Sequence, residues 1–332
     1  MTDAVLVGTG PDLGERRVDP ASVHIGLDIG GTKVLGVALG PDDEVLADVR
    51  LGSEPGPDKV VDVAAAAARE LADRIGAPLS ALAGIGIGIP GVVDVREGVL
   101  SHAVNLGVGG DGLPLAARLS RRTGIPVAVE NDVNAAALGA SRALELDGTD
   151  LAYLSIGTGL AAGIVLSGHL RRGARGGAGE VGHIPVDPSG PLCPCGQRGC
   201  VEAVASGSAI ARAWPVERGV DASESPAAAL FRSAAAGDPE ALRVRTRIAD
   251  HLAAAVQLLV LTVDVDVVVL GGGVSEVGEQ LRLAVANGLS QRGRTSPFLA
   301  SLNLPARITL APTGRPIAAL GAALLAPGRE PV

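Results

Sequence analysis

The stretch VHIGLDIGGTKVLGVAL, residues 23–39, carries the fold in its spacing. Val23, Ile25, Leu27 and Ile29 alternate with His24, Gly26 and Asp28, the two-residue period of a β-strand. The run breaks at Gly30 and Gly31 and resumes as an apolar strand, so the segment reads as strand, glycine turn, strand. LAYLSIGTGLAAGIVLSG, residues 151–168, repeats that plan. After the first hairpin, helices are expected over 60–76, 113–124 and 133–145, with a buried strand ending in a Pro-Gly turn over 82–94 and a strand over 125–132. After the second, helices are expected over about 203–213, 225–236, 238–262 and 275–291, strands over 265–273 and 306–311, and a last helix over 316–326. The result is an α/β chain of two βαβ-rich halves, with a ligand expected at the domain junction. The expected division is a flexible leader over 1–22 and a small α/β domain over 23–132, with the C-terminal helix of 313–332 packing back on it. A large α/β domain occupies 133–312.

Composition narrows the function classes. At 47% hydrophobic and 19% charged, the 332 residues can bury a sizeable core. One Trp, one Tyr and two Phe leave that core to Ala, Val, Leu and Ile. A net charge of −8 argues against a nucleic-acid surface, and the small basic cluster RRGAR, residues 171–175, reads as a solvated loop. MTDAVLVGTGPDLGERR at the N-terminus lacks the basic start and apolar core of a signal peptide. The longest apolar stretch, residues 253–270, carries Gln257, Asp264 and Asp266, which a membrane span tolerates poorly. It reads as a buried helix running into a buried strand. A soluble, cytoplasmic protein with no membrane and no nucleic-acid partner is expected.

Three glycine turns point to phosphate. In DIGGTK, Gly30 and Gly31 let backbone N–H groups approach an anion, Thr32 adds a hydroxyl and Lys33 a charge. Asp28 supplies a carboxylate able to hold Mg2+ directly or through water. Gly157, Thr158 and Gly159 repeat the chemistry, and Gly271, Gly272 and Gly273 form a third turn leading into a helix N-terminus. Neither the P-loop pattern nor the dinucleotide GxGxxG fingerprint is present. In VENDVNAA, residues 129–136, polar side chains sit where an apolar strand meets an Ala-rich helix. Asn131 or Asp132 would cap that helix, and a carboxylate there could equally accept a hydroxyl proton.

All three cysteines fall within CPCGQRGC, residues 193–200. With His183 they form H-x9-C-x-C-x4-C, and His183, Cys193, Cys195 and Cys200 make a closed, tetrahedral Zn2+ set of the structural type. An odd cysteine count and a cytosolic setting disfavour disulfides. Three sulfurs and one nitrogen favour Zn2+, with Fe2+ left open. Such a metal has no open position for catalysis and would fix the loop over 180–202.

Taken in order, LDIGGTK, GIGIPGVVD, ENDVNAAALG, SIGTG, GEVGH and CPCGQRGCVE resemble the motifs of the ROK family (repressors, open reading frames and kinases) of bacterial sugar proteins. The resemblance spans roughly residues 23–326 and implies the actin-like, hexokinase-like ATPase fold, two ribonuclease-H-like domains around a cleft. It implies a kinase moving the γ-phosphoryl of ATP to a hexose hydroxyl, usually the 6-OH, and a homodimer or homotetramer. By the family pattern Asp132 is the general base. Asn105, Asn131, Glu180, His183 and Glu202 hold sugar hydroxyls, and the backbone near Gly91 lines the sugar pocket. Asp28 helps place Mg2+, while Gly30, Thr32, Gly157, Thr158 and the 271–273 turn cradle phosphates. Two departures bear on which hexose is used: NLGVGGDGLP, from Asn105, lacks an aromatic common in glucokinase-like members, and Ala140 stands where many members have Glu.

Glucokinase leads the expectations, with an N-acetylmannosamine or N-acetylglucosamine kinase as the alternative. A repressor would need a winged helix-turn-helix, and the residues before the first strand show no helical period. A non-catalytic sugar binder is disfavoured by the presence of Asp28, Asp132 and three glycine turns together. ATP is favoured over polyphosphate because no extra basic stretch flanks the turns.

Overall fold

The computed structural model describes residues 5–7, 16–215 and 224–329. The chain divides into two compact units, Met1–Leu146 with Gly314–Val332, and Asp147–Thr313. The boundary falls after α3 rather than at residue 132, because that helix packs on the C-terminal helix of its own unit, as described below.

In the first unit, β1 (Val5–Val7) pairs antiparallel with β2 (Arg16–Val18), inside the segment expected as a leader. The hairpin read from the sequence is β3 (His24–Ile29) and β4 (Lys33–Leu39). A third strand, β5 (Val45–Gly52), was not anticipated. It lies at the sheet edge, with Leu46 and Val49 buried and Asp48 and Arg50 exposed, so its alternation is diluted by charge. Helix α1 (Pro57–Arg74) buries an alanine- and valine-rich face from Val60 to Ala72. The strand of 82–94 ends at the expected Pro90–Gly91 turn as β6 (Gly84–Ile89), and a short β7 (Val92–Asp94) follows, pairing with β8 (Val99–Ser101). Then follow α2 (Leu115–Thr123), β9 (Val127–Asn131) and α3 (Asp132–Ala143). The five-stranded sheet has the order β5-β4-β3-β6-β9. Its first two pairings are antiparallel and its last two parallel.

The second unit repeats this. Strands β10 (Leu151–Ile156), β11 (Leu160–Leu166) and β12 (His169–Leu170) form an antiparallel meander. The helix expected over 203–213 is two, α4 (Val201–Ala205) and α5 (Gly207–Ala213), because the Ser206 side chain caps the second. Helices α6 (Pro226–Ala235) and α7 (Pro239–Val263) precede β13 (Val267–Gly271). Helix α7 is long and apolar enough to cross a membrane by length and composition alone, yet ten of its apolar residues between Ala241 and Val260 are buried within this unit. A 3-10 turn (Gly273–Val277) precedes α8 (Glu279–Arg294), so the helix begins later than expected. Helix α9 (Pro297–Ser301) and β14 (Ile308–Leu310) complete the unit. The sheet order β12-β11-β10-β13-β14 matches the first sheet strand for strand, with the same antiparallel and parallel pairings.

The last helix, α10 (Ile317–Leu324), lies against α3, β3 and β6 of the first unit. Backbones touch there because glycines remove the side chains. A Cβ on Gly26 would collide with the Ala319 carbonyl, and one on Gly86 with the Ala322 carbonyl. Gly139 and Gly321 are equally committed, to Ile317 and Ala135. The segment after α10 is anchored by Arg329, which pairs with Asp43; Asp43 also holds Arg142 at 2.6 Å.

Candidate active site

The first unit gathers its polar residues at the C-terminal ends of β3, β6 and β9. Asp28 lies in register with Gly88 across β3 and β6. A Cβ on Gly88 would stand 3.1 Å from the Ala135 Cβ, closer than ordinary contact, so this glycine lets the first turn of α3 pack tightly on β6, with the Asp132 Cα beside it. The two carboxylates feel each other. Burial first, and then the Asp132 charge, push the Asp28 carboxyl up to about 7, against the opposing pull of Lys33. Such a carboxylate gains from a cation, which is the chemistry expected of a Mg2+ site.

Asn131 does what the capping alternative required. Its Oδ1 accepts from the N–H groups of Val133 at 2.9 Å and Asn134 at 3.3 Å, while its Nδ2 donates a long bond to the Gly91 carbonyl at 3.5 Å. Asp132, the first residue of α3, turns Oδ1 to the Val133 N–H at 3.0 Å. One support was not singled out as a site residue from sequence. Glu130, 4% exposed, accepts from the Asn131 N–H at 2.9 Å and the Asn134 Nδ2 at 3.0 Å. The signal was present, since a Glu ending an apolar strand must find donors. Gly91 has φ of 119° and close neighbours in Ser101 and Ala103, so the kink between β6 and β7 requires glycine.

In the first glycine turn, the Gly30 N–H closes the hairpin on the Lys33 carbonyl at 2.9 Å. Thr32 and Lys33 are exposed, and among the described residues the Gly31 and Thr32 N–H groups meet no acceptor. Gly31 also faces Asn105: a Cβ there would stand 3.1 Å from that residue's Cβ and carbonyl oxygen. Asn105 is exposed in a 3-10 turn whose Leu106 carbonyl accepts from the Gly56 N–H at 2.8 Å.

The second unit carries the other two turns. The Gly157 N–H bonds to the Gly159 carbonyl at 3.0 Å, and the Gly157 carbonyl accepts from the Gly207 N–H at 2.7 Å, leaving Thr158 exposed at the tip. In the third turn the glycines differ in role. A Cβ on Gly271 would overlap the Tyr153 ring, and the Gly272 N–H donates to the Tyr153 hydroxyl at 3.2 Å. Gly273 alone is exposed, with open space where a side chain would be.

Three of the four expected metal ligands converge in the cysteine loop, and Cys200 lies against one of them, Cys195. The ligand atoms of His183, Cys193 and Cys195 lie within 4.8 Å of one another. His183 Nδ1 is 3.7 Å from the Cys193 sulfur, and the Cys195 and Cys200 sulfurs are also 3.7 Å apart. Sulfurs held tetrahedrally at about 2.3 Å from zinc stand roughly 3.8 Å apart, so the spacing agrees with the donor chemistry. All three cysteines are free. The Gln197 backbone N–H, with help from its side chain and the neighbouring thiols, holds the Cys195 thiol down to about 6, whereas burial pushes Cys200 up to about 12. The two roles expected of His183 separate by atom: Nδ1 faces the Cys193 sulfur, and Nε2 lies 3.8 Å from Glu180 Oε2. Glu180 is exposed, and Glu202 is half-buried.

The paired strand orders, each with a glycine hairpin at its head, define the actin-like, hexokinase-like ATPase fold. The pattern of the ROK family matches residues 24–329, and the chain belongs to that family. It is 35% identical to a glucokinase of Thermotoga maritima over 77% of this chain and 84% of the relative. It is also 35% identical to an N-acetylmannosamine kinase of Escherichia coli O127:H6, over 75% of this chain and 82% of the relative. A ROK family glucokinase from Streptomyces griseus, solved in complex with glucose and AMPPNP, superposes with a TM-score of 0.74 at 31% identity, covering 92% of this chain and 99% of that one.

Proposed function

We propose that this protein transfers the γ-phosphoryl group of ATP to a hexose hydroxyl, with the 6-OH of glucose as the leading acceptor. The observation that carries the reading is the juxtaposition of Asp28 and Asp132 beside an exposed glycine-threonine turn. Phosphoryl transfer asks for positioning and charge neutralisation more than covalent chemistry. Asp132 serves as the base, taking the hydroxyl proton as the oxygen bonds to phosphorus and the proton grows acidic. Asn105, Asn131, Glu180, His183 and Glu202 orient the sugar, with the backbone at Gly91 beside it. Asn131 contributes chiefly by capping α3 and so fixing Asp132. Thr32, Lys33, Thr158 and Gly273 are the exposed groups offered to phosphates. Asp28 would hold Mg2+, which shields the phosphate charges when bound. His183, Cys193, Cys195 and Cys200 would hold Zn2+, which braces the loop carrying Glu180 and His183. A cytoplasmic homodimer or homotetramer acting in carbohydrate metabolism completes the reading.

The equal identity to an N-acetylmannosamine kinase supports a second acceptor class, the N-acetylhexosamines. The loop after Asn105, rich in glycine, is where room for an acetyl group would be found. A coupled ADP-release assay with ATP and Mg2+ against glucose, mannose, N-acetylmannosamine, N-acetylglucosamine, fructose and allose tests both. Turnover highest on glucose supports the first reading, and preference for an N-acetylhexosamine supports the second. Folded, metal-replete protein that phosphorylates none of them refutes both.

A further inference from the structure

The second unit joins its metal loop to its phosphate turn through one side chain. Cys200 directly precedes α4, and the Val201 N–H is tied to the Ile184 carbonyl at 3.0 Å, so the first turn of α4 is continuous with the metal loop. Glu202, the second residue of that helix, reaches across to the Gly157–Gly159 turn, and its Oε2 accepts from the Leu160 N–H at 2.9 Å. Space for the carboxylate exists because residue 159 is glycine: a Cβ there would stand 2.6 Å from Glu202 Oε2. Gly182 plays the matching part behind it, lying against the Leu160 carbonyl where any side chain would collide. On its other flank the turn is held by Gly207, through the bond to the Gly157 carbonyl. Among the described residues the Glu202 side chain makes no other hydrogen bond, so Oε1 remains for a ligand.

We propose that Glu202 is a positioning residue for the nucleotide as well as a sugar ligand, and that it couples the two substrates. The proposal rests on the kinase reading above. With Oε2 on the Leu160 N–H, the carboxylate sets the turn that offers Thr158 to phosphate. With Oε1 on a sugar hydroxyl, the same side chain loses the rotamer freedom that would otherwise oppose that bond. Sugar therefore preorganises the phosphate turn, and by linkage nucleotide tightens sugar by the same factor. A residue that only touched sugar would leave nucleotide affinity unchanged when no sugar is present.

The test is the affinity for AMPPNP with Mg2+, measured by calorimetry without sugar and with saturating glucose or N-acetylmannosamine. It is run on the zinc-replete wild type, Glu202→Ala, Glu202→Gln, Gly159→Ala and the double Ala variant. Loss of a charge-assisted hydrogen bond at the turn is expected to weaken sugar-free AMPPNP binding about tenfold in Glu202→Ala and to abolish the enhancement by sugar. Glu202→Gln keeps a carbonyl acceptor for the Leu160 N–H, so its sugar-free AMPPNP affinity is expected to stay within about twofold of wild type while its sugar affinity falls. Gly159→Ala guards against simple unfolding. The atom it meets is the end of a flexible side chain and its φ lies outside the left-handed region, so the variant is expected to fold with unchanged zinc content. It should reproduce the nucleotide defect and add nothing in the Glu202→Ala background. Wild-type affinity for AMPPNP in Glu202→Ala overturns the proposal, as do additive losses in the double variant. Variants that lose sugar-free AMPPNP affinity as expected, with no enhancement by sugar in the wild type and no sugar phosphorylated, refute the kinase reading and the coupling while leaving the turn support standing. A wild type that binds no AMPPNP overturns both.

Discussion

Replacing Asp28 with Asn should stabilise the protein at neutral pH while disabling it, and the structure sets the size of the effect. Burial and the neighbouring Asp132 raise the Asp28 carboxyl to about 7, with Lys33 opposing. In the unfolded chain the group titrates near 4. A carboxyl whose folded value is the higher one adds stability below its unfolded value, and that contribution is lost as pH rises toward the folded value. At about 1.4 kcal/mol per pH unit, ionising Asp28 in the metal-free fold costs up to about 4 kcal/mol by pH 8. The Asn variant cannot ionise and escapes this loss. Urea unfolding of both proteins in magnesium-free buffer at pH 4.5, 6 and 8 reads the difference directly. Near-equal stability is expected at pH 4.5, with the variant ahead by about 2–4 kcal/mol at pH 8 and phosphoryl transfer lost. Adding Mg2+ should narrow the gap by stabilising only the wild type. Parallel stability–pH curves, or a variant less stable at pH 8, would refute the placement of Asp28 beside Asp132 in a desolvated site.

Asp132→Asn should cut kcat by about 10²–10⁴-fold with sugar binding largely retained, because the amide keeps the Val133 contact but takes no proton; wild-type turnover in a coupled assay would remove Asp132 as the base. One zinc per chain is expected by elemental analysis, and Cys193→Ser or treatment with a strong chelator should lower the Tm, since structural metal binding is folding free energy. A metal-free protein with unchanged Tm would contradict that. Gly321→Ala places a Cβ in the Ala135 carbonyl, so α3 and α10 must separate. A loss of about 3 kcal/mol or more is expected in chemical denaturation, and a neutral result would mean that the two helices are not in backbone contact.

What the sequence determined by itself is local. Alternation around Ile25 and Leu27 reports a strand whatever lies beside it, and Gly30–Gly31 report a turn through their backbone freedom. His183 with the clustered cysteines reports a metal through donor type and spacing, and the ordered motifs point to the family. The pattern was weaker where charge interrupts it, as at the edge strand β5, and at Ser206, where a side-chain cap divides one helical stretch into two. Tertiary structure alone decided the through-space pairings. Asp28 meets Asp132 because Gly88 admits the helix, and Glu202 reaches Leu160, 42 residues away in sequence, because Gly159 leaves the space. Which of Gly271, Gly272 and Gly273 faces outward likewise depends on Tyr153, a residue far from them in the chain. Periodicity records what a segment prefers. It holds no record of which distant backbone will approach within a bond length of the missing side chain, and at this site those approaches set the chemistry.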